Sequence, residues 1–264
     1  MPIELPFTLP RLSTEEFKHL DHRVIAHAFA AQRDLGRLCD ETVYQADLAE
    51  RLSADGLGPV QREFPITVSF RSFVHQYFAD LVVAGRAIYE LKTENALAPA
   101  HEAQLLNYLF LTDAARGKLV NFRPPSVESR FVNAPLDRAE RRRFSCHVDQ
   151  PDPFFSLVAE VVADWGTGLE TSLYLRGLTH LLGGESEVIR LLPMMRGAEL
   201  LGNQRFHLAT PDTAFVVTTL SSVDTTHRTH LQRLLRASPL QRLLWANLAL
   251  HDLTFTTITR DVSP

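Results

Sequence analysis

Apolar side chains recur at near-helical spacing in two neighbouring stretches of the N-terminal half, residues 24–35 and residues 41–52. This spacing places the apolar positions of each stretch along one face of a helix. Gly36 lies between the two stretches, and glycine commonly ends a helix. The pattern therefore predicts a long helix or a helix pair that is interrupted near Gly36.

A different pattern follows, made of short runs rich in β-branched and aromatic residues. Runs of this kind are typical of strands, and apolar residues three and four apart are typical of an amphipathic helix. The pattern predicts strands over 64–70, 76–83, 87–92 and 119–122, and a helix over 101–109. Ala84-Gly85-Arg86 separates the second and third strands and is a hairpin signal.

The predicted hairpin brings two carboxylates together. If Gly85 lies at the centre of the turn, Asp80 and Glu90 lie opposite each other on the paired strands. Like charges in this position are unfavourable unless one is protonated or a cation lies between them. Glu90 and Lys92 share a face because strand side chains alternate. The register therefore predicts a divalent metal site with an ammonium group beside it.

Carboxylate oxygens are hard ligands and suit Mg²⁺ or Mn²⁺, ions that neutralise phosphate charge and acidify a bound water. We expect Asp80 and Glu90 to hold the metal and Lys92 to orient the attacking water or stabilise the phosphorane. On the helix predicted downstream, Gln104 and Tyr108 are four residues apart and share one face.

Composition narrows the class of protein. Apolar residues make up 45% and charged residues 22% of the chain, as in ordinary globular proteins. The net charge of −4 excludes a strongly basic protein that coats nucleic acid without specificity. Two cysteines are too few for a disulfide framework. With no export signal and no long apolar stretch in the sequence, we expect a soluble cytoplasmic protein that does not bind a membrane.

Across residues 24 to 133 the chain resembles the GxxExxY group of PD-(D/E)xK nuclease-like proteins, in the RecB-like branch. The segments that carry the resemblance are Glu41-Thr-Val-Tyr44, Ala79-Asp80-Leu-Val-Val83, Glu90-Leu-Lys92, His101-Glu-Ala-Gln104-Leu-Leu-Asn-Tyr108 and Asn121-Phe122. The glycine that the family has three residues before the glutamate is replaced by Leu38, so we expect a changed helix boundary there.

The resemblance implies an α/β fold with a restriction-endonuclease-like core in the order α-β-β-β-α-β. It also implies that Glu41 and the Leu91 carbonyl join Asp80 and Glu90 as metal ligands. Gln104 belongs with Lys92, Glu90 and Asp80 in the implied catalytic set. Tyr108 and Tyr44 would support the site or contact DNA.

Each of these residues also has an ordinary structural interpretation. Asp80 alone would be a surface residue at a strand end, and Glu90 with Lys92 would be an exposed ion pair contributing under about 1 kcal/mol. Tyr44 and Tyr108 fit the core as aromatic residues with satisfied hydroxyl groups. The order and spacing of the whole set favour a site over these separate roles.

The second half is predicted to be a degenerate copy of the first, which gives domains at 1–135 and 136–264. Aligned at an offset of about 129 positions, Glu170 stands over Glu41 and is the one site residue that the copy keeps. The predicted replacements are Asp80 by Ala209, Glu90 by Val217, Lys92 by Thr219 and Gln104 by Arg233. The second copy would therefore lack the metal-site residues.

The leading hypothesis is a Mg²⁺-dependent deoxyribonuclease, with single- or double-stranded DNA left open and a homo-oligomer or larger complex compatible with the sequence. The alternatives are an inactive nucleic-acid-binding or interaction module and a structural subunit of a repair or defence complex. A triad hydrolase is disfavoured because no nucleophile-elbow pattern occurs in the sequence. Phosphate contacts would come from Arg228, Arg233, Arg236 and Arg242 and from the basic stretch 138–143, with a solvated basic face as the alternative.

Overall fold

A computed structural model describes residues 2–260, and it is a mixed α/β structure with two six-stranded sheets. The chain divides into two compact units. Of the described residues, 2–69 and 74–138 form the first unit, and 70–73 and 139–260 form the second.

The first unit contains three helices and six strands. In chain order they are β1 (Ile3–Glu4), α1 (Thr14–Leu35), α2 (Glu41–Ala54), β2 (Val60–Phe70), β3 (Phe73–Val83), β4 (Ala87–Lys92), α3 (Pro99–Thr112), β5 (Arg116–Asn121) and β6 (Glu128–Asn133). The stretch from α2 to β5 has the predicted α-β-β-β-α-β order, so the predicted core is confirmed.

The first helix begins well before residue 24, where its apolar pattern becomes regular. The Ser13 hydroxyl accepts from the Glu16 backbone N–H, and the Glu16 carboxylate accepts from the Ser13 N–H, which is a capping box. At the other end Gly36 has a φ of 76° and its N–H donates to the Gln32 carbonyl. Gly36 thus separates α1 from α2 as predicted.

The sheet of the first unit has the strand order β1-β2-β3-β4-β5-β6. The β3–β4 hairpin pairs Leu81 with Tyr89 and Val83 with Ala87, so its register is centred on Gly85. One further step of this register places Asp80 opposite Glu90, as the sequence predicted. The three-residue loop at residues 84–86 closes with the Arg86 N–H donating to the Val83 carbonyl at 3.1 Å.

The two faces of this sheet are covered by different helices. One face packs on α1 and α2 in a core that includes Val24, Leu48 and Tyr89. The other face receives α3, because a Cβ on Gly117 would come within 3.0 Å of Leu105. Gly117 pairs with Ile88, so Glu90 and Lys92, two and four residues further along β4, lie on the α3 face.

The second unit contains five helices and six strands within the part that is described. In chain order they are α4 (Arg138–Arg141), β7 (Ser145–Val148), α5 (Pro153–Trp165), α6 (Thr171–Leu181), α7 (Glu185–Val188), β8 (Ile189–Arg196), β9 (Glu199–Thr210), β10 (Thr213–Thr218), α8 (Thr225–Ala237), β11 (Arg242–Leu248) and β12 (Asp252–Thr259). The first of them, α4, spans the junction, since Arg138 groups with the first unit. The strand order is β7-β12-β11-β10-β9-β8.

The second unit repeats the element order of the first. Apart from the short extra helix α7, helices α5 and α6 precede three consecutive strands, a helix and two further strands, as α1 and α2 do. The pairing repeats as well, since β4–β5 and β10–β11 are parallel and the strand pairs beside them are antiparallel. This repeated topology supports an internal duplication.

Two side-chain contacts give the residue correspondence between the units. The Tyr44 hydroxyl donates to the Gly36 carbonyl at 2.6 Å, and the Tyr174 hydroxyl donates to the Gly166 carbonyl at 2.5 Å. Asn121 pairs with Lys92 and bonds the backbone of Glu94 through both its amide oxygen and its amide nitrogen.

Asn247 repeats this second contact, because it pairs with Thr218 and bonds the backbone of Leu220 in the same way. Tyr44 and Asn121 therefore correspond to Tyr174 and Asn247.

This correspondence corrects the predicted alignment of the two halves. By the tyrosine contacts, Thr171 stands where the first unit has Glu41, and Glu170 stands at the helix cap, where the first unit has Asp40. By the asparagine contacts, Thr218 replaces Lys92.

The strand pairings correct the other site positions. By the strand pairings, Val216 replaces Glu90 and Phe206 replaces Asp80. The predicted counterparts Val217, Thr219 and Ala209 are wrong, because corresponding residues in these strands are 126 positions apart, fewer than the alignment assumed. Arg233 is wrong because the same offset of 126 positions places His230 over Gln104, and it places Leu231 over Leu105, which are both buried.

Within residues 2–260, none of the helices combines the length and the apolar composition that crossing a bilayer requires.

Candidate active site

The predicted carboxylates meet where the β3–β4 ladder ends. Asp80 turns its carboxylate toward β4, and its Oδ2 accepts from the Leu91 backbone N–H at 2.6 Å. Glu90 precedes Leu91 on β4 and Lys92 follows it. A single strand end thus holds Asp80 in place and presents Glu90 and Lys92 on one face.

Lys92 connects the acidic residues. Its Nζ donates to Glu90 Oε1 at 2.9 Å and lies 3.9 Å from Glu41 Oε2, at the first turn of α2. The Glu90 side chain is 1% exposed and that of Lys92 is 11% exposed. The alternative of an exposed surface ion pair is therefore wrong, because both groups are buried.

Burial makes both carboxylates easier to protonate, and a neighbouring negative charge adds to the pKa shift of each. Burial, followed by the charge of Asp80, raises the pKa of Glu90 to about 8. Burial also raises the pKa of Asp80, although the Leu91 N–H and Lys92 oppose this shift. Carboxylates with raised pKa values that share a buried position are typical of sites that bind a cation or move a proton.

Lys92 and Glu41 are two further charged groups of the site. Burial acts to lower the pKa of Lys92, but Glu90, Asp80 and Glu41 together outweigh it and the pKa is raised. The amine is therefore a cation at neutral pH. Burial raises the pKa of Glu41, which is half-buried, while Lys92 acts in the opposite direction.

One oxygen in this group lacks a partner. Glu90 Oε2 is buried and accepts no hydrogen bond from the described residues, and a buried acceptor without a partner is unfavourable. A divalent cation beside Asp80 would satisfy it, and carboxylate oxygens are the ligands that Mg²⁺ and Mn²⁺ prefer. The donor set at Asp80 and Glu90 therefore fits such an ion.

The full predicted ligand set is not preassembled. Among residues 2–260, no group of three or more His, Cys, Asp or Glu side chains is placed closely enough to hold a metal by itself. Glu41 reaches the site through Lys92, not as a third carboxylate beside Asp80 and Glu90. The Leu91 side chain lies in the core and its N–H is used by Asp80, so only its carbonyl is left for the predicted role.

The remaining predicted residues lie on the supporting helices. Gln104 donates from its amide to the Tyr108 hydroxyl at 3.1 Å, on the helix that covers the face carrying Glu90. Tyr44 is fully buried, its hydroxyl bonds Gly36, and its ring stacks on Phe122 at 4.3 Å. A DNA-contacting role for Tyr44 is therefore wrong, because its ring and hydroxyl lie inside the unit.

The sequence reasoning missed two residues of the site. Gln45 is buried, and its amide donates to Glu63 Oε1 at 2.6 Å and to the Asp80 carbonyl at 2.9 Å. The negative charge of Glu63 contributes to the raised pKa values of Asp80 and Glu41. Gln45 lies one helical turn after Glu41, and that spacing is the only signal in the sequence that could have found it.

The predicted basic residues divide into two kinds. Arg228, Arg233 and Arg236 are exposed on α8, a helix without any acidic residue. In the stretch 138–143, Arg141 is fully buried and donates to the Thr167 carbonyl at 2.6 Å. Arg141 is thus a structural residue, and α8 is a basic surface of the second unit.

The buried carboxylate makes a prediction about stability. The pKa of Glu90 is higher in the folded protein than its ordinary value of 4.5, so ionisation of this group opposes folding. The cost begins above about pH 4.5 and is complete above about pH 8. We expect Glu90→Gln to raise the free energy of unfolding at pH 8 by on the order of 1–3 kcal/mol, with little change at pH 4.5. Urea unfolding at both pH values measures this, and a gain that is equal at both would contradict it.

Comparison with known proteins relates the first unit to a nuclease superfamily. Residues 18–132 match the PD-(D/E)XK nuclease superfamily, whose members typically use divalent metals. No curated protein matches the chain. A solved structure titled "Crystal structure of SSO0001" is 25% identical over 47% of this chain, with a TM-score of 0.30. The match covers 61% of that protein's chain.

Proposed function

We propose that the first unit, which matches the PD-(D/E)XK nuclease superfamily, is a metal-dependent nuclease that hydrolyses DNA. The observation that carries this proposal is the buried carboxylate of Glu90 next to the partly buried Asp80, with the Lys92 ammonium between Glu90 and Glu41. A cation bound here would give the unpartnered Glu90 oxygen a binding partner. It would also balance the negative charge of the two acids, whose pKa values are raised.

In this mechanism Asp80 and Glu90 would hold the metal, with Glu41 and the Leu91 carbonyl as further candidates. A bound Mg²⁺ or Mn²⁺ supplies charge neutralisation and lowers the pKa of water. Lys92 stays protonated, orients the attacking water through its free N–H groups and stabilises the negative charge that develops on the phosphate. Gln104 and Tyr108 support the site from α3.

The finer parts of the proposal follow from the sequence. The segment from Glu41 to Tyr44 and the pair Gln104 and Tyr108 support the GxxExxY group and the RecB-like branch. Mg²⁺ is the proposed ion because the proposed donors are all oxygens. The second unit would be a degenerate copy, since Thr171, Phe206, Val216 and Thr218 stand at the site positions. A cytoplasmic location stays a prediction.

DNA is the proposed substrate, and α8 of the second unit offers a surface for its backbone. Three exposed arginines on a helix without acidic residues suit phosphate groups. Contacts of this kind would position a strand without reading its sequence.

An inactive nucleic-acid-binding or interaction module is the second candidate. The observation that favours it is that no ready-made cluster of three metal-ligating side chains exists among residues 2–260. In that case Asp80 and Glu90 would bind metal weakly or not at all, and no substrate would be cleaved.

The test is cleavage of labelled single- and double-stranded DNA by the full chain with Mg²⁺, with Mn²⁺ and with EDTA. We expect cleavage only with metal, and we expect Asp80→Asn to lower its rate by about 100-fold or more. Asp252→Asn is the matched control, because Asp252 is an exposed aspartate of the second unit. Wild-type protein that binds DNA but cleaves none of these substrates with either metal would favour the binding module instead.

A further inference from the structure

The buried Gln45 side chain makes three hydrogen bonds. It is 2% exposed on α2. Its amide nitrogen donates to Glu63 Oε1 and to the Asp80 carbonyl, and its amide oxygen accepts from Arg62 Nε at 3.2 Å. Both amide N–H groups are therefore used. The side chain ties α2 to β2 and to β3.

The contacts fall on the backbone that presents the acidic residues. Asp80 is bound at two points, by Gln45 at its carbonyl and by the Leu91 N–H at its carboxylate. Glu63 has a φ of 48°, a left-handed conformation that side chains other than glycine rarely adopt. Its contact with Gln45 helps to hold this residue in that conformation.

The second unit provides an internal comparison. It keeps the contacts that build the fold, since Tyr174 and Gly166 repeat Tyr44 and Gly36. The residue after Tyr44 is Gln45, but the residue after Tyr174 is Leu175. A leucine at this place is thus compatible with the fold. The glutamine is absent from the same unit that lacks the acidic residues and the lysine.

We propose that Gln45 is a positioning residue of the metal site, which fixes the Asp80 backbone and the Glu63 carboxylate so that metal binds at Asp80 and Glu90. This inference rests on the proposed function of the first unit. Gln45 acts through Asp80 and does not itself touch the metal. Residues that orient a ligand in this way commonly change metal affinity by about 10- to 100-fold when they are replaced.

The experiment measures Mn²⁺ binding to the full chain by isothermal titration calorimetry, without any substrate. We expect Gln45→Leu to raise the dissociation constant for Mn²⁺ by about 10- to 100-fold relative to the wild type. In the cleavage assay the same variant should need more Mn²⁺ for half-maximal rate and should regain most of its rate at saturating Mn²⁺.

Gln32→Leu is the matched control. Gln32 is a buried glutamine of the same unit whose amide donates to the Phe122 and Pro124 carbonyls at 2.7 and 3.0 Å, and not to Asp80 or Glu63. This variant should lose thermal stability to a similar extent and keep the wild-type Mn²⁺ affinity.

The outcomes distinguish the metal site itself from the positioning role of Gln45. Wild-type protein that binds no Mn²⁺ would overturn both the metal site and the role of Gln45. Equal Mn²⁺ affinity of wild type and Gln45→Leu would overturn the positioning role and leave the metal site standing. An equal loss of affinity in Gln32→Leu would also overturn it, because the effect would then come from general loosening of the fold.

Discussion

Replacement of Lys92 by alanine is expected to lower metal-dependent DNA cleavage by at least about 100-fold, the usual cost of removing one group that stabilises transition-state charge. The Lys92 ammonium lies 2.9 Å from Glu90 and is held as a cation by the surrounding acids. The variant retains the carboxylates but lacks the charge that would orient water and offset the developing charge on phosphate. Single-turnover cleavage at saturating Mn²⁺ measures the loss in the chemical step.

Lys18→Ala serves as the control, because Lys18 is an exposed lysine of α1 paired with Glu15. It should cleave at the wild-type rate. Circular dichroism of Lys92→Ala should show an intact fold, so that lost activity is not lost structure. A Lys92→Ala protein that folds and cleaves within a few-fold of wild type would remove Lys92 from the mechanism.

Replacement of Lys118 by methionine is expected to destabilise the first unit by about 3–5 kcal/mol, the usual cost of leaving one member of a buried ion pair alone. Lys118 Nζ lies 2.5 Å from Asp21 Oδ2, and both side chains are less than one-tenth exposed. The ammonium also lies 4.2 Å from the centre of the Phe131 ring. Without Lys118 the Asp21 carboxylate stays buried with no cation beside it.

Urea unfolding at pH 7 measures this loss. The double variant Asp21→Leu with Lys118→Met should recover much of it, because no charge is then buried. Loss of the exposed pair in Lys18→Ala should cost under about 1 kcal/mol. A Lys118→Met protein that is as stable as the wild type would show that this buried pair does not hold α1 on the sheet.

The hairpin was predictable because its information is local. Gly85 marks the turn, strand side chains alternate, and these two rules place Asp80 opposite Glu90 and put Lys92 on the same face. The structure has this register, and the core has the predicted element order.

The role of Gln45 was not predictable in the same way. Its partners Glu63 and Asp80 lie on two strands that are distant from α2 along the chain, and one helical turn from Glu41 is a weak signal by itself. The correspondence between the halves was also misplaced. Tyr44 and Tyr174 are 130 positions apart whereas Asn121 and Asn247 are 126 apart, so a single offset from sequence similarity could not place both.

The sequence by itself determined the succession of helices and strands, the hairpin register and the residue types of a metal site, because each depends on side-chain periodicity and turn chemistry over a short stretch. Only the tertiary structure decided which of these residues are buried. Burial makes Glu90 and Lys92 a desolvated pair, leaves one Glu90 oxygen without a partner and places Tyr44 in the core. Packing of distant segments sets these properties, since the cost of removing a charge from water depends on everything that surrounds it.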